Sequence, residues 1–120
     1  MVENVEPEFA TLSPDTSFAD VILESPNVLV IEIGEGLMIS ETGGLDVYQV
    51  AVLESLKGDV LVGESINITF FGGTVSTGEV HIVATSVMCE YDPVWHQFST
   101  RDGLFPVDRL DEIRNIIGWY

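Results

Sequence analysis

The chain has 120 residues, enough for one domain around one core and too few for two ordinary ones. Hydrophobic residues make up 46% and charged residues 20%, which argues against a disordered chain. Twenty Asp and Glu stand against four Lys and Arg, a formal net charge of −16, so partners that need clustered cations, nucleic acid and anionic lipid, are disfavoured.

Residues 1–12 form an acidic leader of low periodicity, and one domain is expected over 13–120. The leader has no basic segment followed by an apolar run and so does not read as a signal peptide. Ser13-Pro14-Asp15 supplies a capping hydroxyl, a proline at the first helical position and an early acid. With Phe18, Val21 and Ile22 at helical spacing, a helix is expected over Pro14 to Glu24, stopped by Pro26.

From Asn27 the apolar period changes to two, the signature of strands. The run around Val28 to Ile33, interrupted by Glu32, is strand-sized and far short of the ~20 residues of a membrane span. The first strand, Val28 to Ile39, carries Gly34 and Gly36, which mark a bulge or sharp bend. Gly43-Gly44 makes a hairpin into a second strand, Leu45 to Leu56, apolar on both faces and so expected to be central, with a helix over its outer face. A third strand, Ser65 to Phe71, alternates with Ile66, Ile68 and Phe70 inward and Asn67 and Thr69 outward.

A fourth strand is expected over Glu79 to Cys89 and a fifth over Val94 to Ser99, with Tyr91-Asp92-Pro93 as the turn between them. Pro106 to Ile117 places Leu110, Ile113 and Ile117 on one helical face, with Gly118 just beyond, and reads as a closing amphipathic helix. A meander of five antiparallel strands flanked by two helices closes most economically as a small barrel of the oligonucleotide/oligosaccharide-binding (OB) type, because closure removes exposed edges.

The stretch Val47 to Asp59, then Gly63 to Thr69 with Gly72-Gly73, Gly78 to Ala84, and Leu104 to Ile117, resembles a pattern of bacterial secreted and lipoprotein-anchored domains. The resemblance implies a barrel similar to the netrin module and to the inhibitory domain of tissue inhibitors of metalloproteinases. Those inhibitors chelate zinc through an amino-terminal cysteine. This chain has one cysteine, Cys89, so neither that mechanism nor an intramolecular disulfide transfers to it.

Several constellations carry possible chemistry. Cys89 pairs with a base only if a histidine reaches it; His81 lies eight residues away on the same strand, roughly 26 Å at the usual rise, which leaves His96. Ser99 and Thr100 near Asp92 and His96 suggest a triad but lack the nucleophile-elbow motif. Glu90 with Asp92, and Asp102 with Asp108, fall short of a calcium loop, and two histidines with one cysteine fall short of a zinc set, so no metal or other cofactor is expected. Asn67-Ile68-Thr69 matches a glycosylation acceptor but lies within a strand.

Recognition is expected at aromatic positions: Tyr48 and Phe71 on the second and third strands, and Tyr91, Trp95 and His96 around the fifth. The expected role is a non-catalytic accessory or interaction domain of a bacterial secreted or cell-surface protein, with a protein or carbohydrate partner and no nucleic acid or membrane insertion. The alternatives are a small hydrolase using His96 with Asp92 or Cys89, and a protease-inhibitor-like module.

Overall fold

A computed structural model describes residues 17–39, 44–89, 95–98 and 103–118. The protein is mainly β, one sheet with two helices: α1 (Phe18–Glu24), β1 (Asn27–Met38), β2 (Leu45–Lys57), β3 (Ser65–Phe71), β4 (Val80–Cys89), β5 (Trp95–Phe98), β6 (Leu104–Pro106), a 3-10 turn (Val107–Arg109) and α2 (Leu110–Ile117). The acidic leader, the Ser13-Pro14-Asp15 cap and the turn at Tyr91-Asp92-Pro93 lie outside the described residues.

Five strands fall where the alternation of apolar residues puts them, within two residues at each end. The described part of α1 opens at Ser17, whose hydroxyl accepts a hydrogen bond from the Asp20 amide, and it ends at Ser25, before Pro26. Gly34 and Gly36 mark the expected irregularity: the register between β1 and β2 shifts between Ile33 and Gly36. A Cβ on Gly34 would lie 2.6 Å from the Gln49 carbonyl oxygen, so a side chain there would push the two backbones apart.

The strand order differs from a meander. β1 pairs antiparallel with β2 on one edge and with β4 on the other, β2 pairs with β3, and β4 pairs with both β5 and β6. β3 and β5 run parallel through Asn67 beside Trp95 and Ile68 beside His96. The sixth strand was hidden in the sequence because three residues, Leu104–Pro106, are too few to show a period.

Successive residues of β1 feed two cores. Leu29, Ile31 and Ile33 join Val50, Val52, Ile66, Ile68 and Phe70 on one face of the sheet. Val28 and Val30 join Ile82 and Ala84 on the other face, beneath Val21 and Ile22 of α1 and Ile113 and Ile116 of α2. β1 and the middle of β4, with Val83 in the first core and Ile82 and Ala84 in the second, are therefore covered on both faces, whereas Leu53 on the outer face of β2 is 43% exposed, because the helices lie over β1 and β4. Asn67, expected to face outward, is buried. The helices meet where Arg109 lies 3.7 Å over the Phe18 ring, which packs edge-on against Phe105.

The loop between β3 and β4 is built into the fold. Val75 is buried in the first core, and its carbonyl accepts from the Tyr48 hydroxyl at 3.5 Å. The Gly78 amide donates to the Ile33 carbonyl, and the Ile33 amide donates to the Glu79 carbonyl, each at 2.8 Å. This loop covers one end of the first core and leaves the other end to the strand termini that meet there.

Candidate functional site

Antiparallel order sends the starts of β1, β3 and β5 and the ends of β2 and β4 to the same end of the sheet. A pocket of about 390 Å³ opens there, within the range of small-molecule sites. Pro26 and Asn27 lead into β1, Gly58, Asp59 and Val60 follow β2, Glu64 and Ile66 stand at the start of β3, Val87 is late in β4, and His96 comes from β5.

The backbone shapes this pocket at Gly58. Its φ of +103° is one that side chains rarely adopt, and a Cβ there would press on the Asn27 side chain and lie 2.8 Å from the Pro26 carbonyl oxygen. Glu64 is held by the loop that precedes it: its Oε1 accepts from the Leu61 amide at 3.4 Å, while the Gly63 amide donates to the Val52 carbonyl at 2.9 Å. Asp59 and Glu64 are both exposed at the rim.

His96 is fully buried. Its Nδ1 lies 2.8 Å from the Thr85 hydroxyl, a bond that joins β5 to β4. Its Nε2 is buried with no hydrogen-bond partner; of the three such described side-chain atoms, with Ser55 Oγ and Ser86 Oγ, it alone belongs to a residue lining the pocket. Burial holds the imidazole below its ordinary pKa, and the negative charge of Glu64 works in the opposite direction. A neutral ring with one nitrogen engaged and the other unpartnered can accept or donate one further hydrogen bond, according to its tautomer.

No protein-family model and no curated protein matches the chain.

Of the residues singled out from sequence, His96 reaches this pocket. Tyr48 is packed into the first core, edge-on to Phe70 with ring centroids 5.9 Å apart, near the opposite end. Phe71 is half-buried at the end of β3. Trp95 is described by its backbone place in β5, Cys89 by its place in β4, and Tyr91 and Asp92 lie outside the described residues. His81 sits apart on β4, its Nε2 2.9 Å from Glu79. Asn27, Asp59 and Glu64 were missed as site residues; once alternate strand directions are drawn, the turns at Pro26, Gly58 and Gly63 fall at one end, and that signal would have found them.

A second cavity of about 380 Å³ lies between the helices and the end of β2, lined by Leu23, Glu24, Lys57 and Ile117. Lys57 Nζ donates to the Ile22 and Leu23 carbonyls, so its charge is spent on the end of α1. Among the described residues, no group of three or more His, Cys, Asp and Glu side chains could hold a metal ion, and no helix is long and apolar enough to cross a membrane.

Proposed function

We propose that this chain is a non-catalytic binding domain, built as a small OB-like barrel, whose recognition site is the pocket at the end of the sheet. The observation that carries the reading is the buried imidazole of His96, unpartnered at Nε2, at a cavity framed by termini of five strands. An apolar cavity with a few convergent polar groups is the usual form of a ligand site, and barrel mouths are a common place for one. The barrel is supported by the run of ladders from β1 through β2, β3, β5 and β4 back to β1, and by the parallel β3–β5 pair. The strongly acidic composition suits a soluble module of a secreted or cell-surface protein with a protein or carbohydrate partner.

The test is a nuclear magnetic resonance titration of the labelled full chain with panels of glycans and peptides. Binding is expected to move the amides of Asn27, Asp59, Glu64 and Val87 and the His96 ring together. A footprint confined to other surfaces, or turnover of a panel compound abolished by His96→Ala, would overturn the reading.

A further inference from the structure

We propose that the end pocket receives a primary ammonium group carried on an unbranched alkyl stem, as in a lysine side chain of a partner protein or a free alkylamine. This rests on reading the pocket as the recognition site. Among the described residues, the charged ones that line the pocket are of one sign: Asp59 and Glu64 stand at its rim, and neither Lys nor Arg joins them. The described cations are committed elsewhere, Lys57 to the carbonyls ending α1, Arg109 to Glu112 and the Phe18 ring, and Arg114 to Glu54. Two carboxylates thus face the pocket without an internal counterion from these residues, in a chain whose formal charge of −16 concentrates cations and repels anions.

The remaining surfaces match the rest of such a ligand. Val60, Ile66 and Val87 supply apolar wall for an alkyl stem. An ammonium carries three N–H donors and no acceptor. Asp59, Glu64 and the unpartnered Nε2 of His96 are three acceptors, provided that the Thr85 hydroxyl accepts from Nδ1–H and leaves the lone pair on Nε2. A neutral sugar would leave both carboxylates uncompensated, and a carboxylate ligand would meet like charge.

The experiment titrates the labelled full chain at pH 7.5 with n-butylamine, n-butanol and butyrate, and with a blocked lysine carrying a free or an acetylated ε-amine. Butylamine and the free lysine derivative are expected to shift Asn27, Asp59, Glu64 and Val87 and the ¹⁵N resonance of His96 Nε2. Butanol, butyrate and acetylated lysine should bind at least about tenfold more weakly, as should Glu64→Gln and Asp59→Asn with the amine, since charge-assisted bonds are lost. Glu24→Gln, at the second cavity, should leave affinity unchanged. Tighter binding of the lysine derivative than of butylamine identifies a protein side chain as the source; the reverse identifies a free amine. Equal binding of butanol, or amine binding indifferent to both Glu64→Gln and Asp59→Asn, overturns the proposal. If butylamine is inert while a glycan or uncharged peptide moves the same residues, the ammonium assignment falls and the binding-domain reading stands.

Discussion

The Thr85 hydroxyl and His96 Nδ1, 2.8 Å apart and both buried, fasten β4 to β5 beneath the end pocket. β5 has four residues, held by two residue pairs to β3 and four to β4, and this side-chain bond adds to the β4 ladder. Thr85→Val keeps the shape and removes the hydroxyl, leaving Nδ1, like Nε2, buried without a partner. Chemical denaturation should show a loss of about 1–3 kcal/mol, the cost of an unsatisfied buried group. A Thr85→Val protein as stable as wild type would show that the bond contributes nothing net.

Stability should fall with acid in two separate windows. His96 is held below its ordinary pKa of 6.5 by burial, so the unfolded chain binds a proton that the folded one resists. Its contribution is complete above about pH 6.5 and declines as pH drops below that value. Glu79, lowered from 4.5 by its hydrogen bond with His81, contributes above its unfolded pKa and loses that contribution only at lower pH. Melting temperature followed from pH 8 to 4 should start to fall near 6.5, and His96→Gln should remove that first phase. A flat profile down to pH 5 would show that the folded protein accepts the proton on His96.

Gly58 and Gly63 separate backbone preference from crowding. Both have positive φ, +103° and +93°, but a Cβ on Gly63 meets nothing within 4 Å, whereas one on Gly58 strikes Asn27 and Pro26. Gly63→Ala should cost about 1–2 kcal/mol from backbone strain alone. Gly58→Ala should cost more and shift the amide resonances of Asn27 and Val60 at the pocket wall. Equal costs would show that the pocket wall yields freely.

Neighbouring residues of α2 should behave oppositely. Ile113 is fully buried between the helices and the sheet, and Ile113→Ala should lose about 2–5 kcal/mol through the cavity it leaves. Arg114 reaches across 60 positions to Glu54, 2.6 Å from its Oε2, but both side chains are more than 40% exposed. Arg114→Ala should therefore change the denaturation midpoint little, and still less in high salt.

The acidic surface repels itself. Added NaCl should raise the melting temperature up to about 0.5 M as screening shortens the range of that repulsion. A flat or falling curve would show that the negative charge is not clustered.

The sequence by itself determined the local elements of this protein. Alternation placed β1 to β4, Pro26 stopped α1, Gly34 marked one of the register shifts of β1, and Leu110, Ile113 and Ile117 marked the inward side of α2, where Ile113 and the unanticipated Ile116 are the buried pair, because each is a consequence of backbone sterics or of one element's own apolar period. Which strands become neighbours was decided only by the tertiary structure. The parallel meeting of Asn67 and Ile68 with Trp95 and His96, the covering of β1 on both faces, the burial of Asn67 and the tucking of Val75 into the core depend on partners that no local pattern specifies. The end pocket belongs to the same class. Asn27, Asp59, Glu64, Val87 and His96 come together from 70 positions of chain because five strands begin or end there, so it exists only when the sheet is assembled.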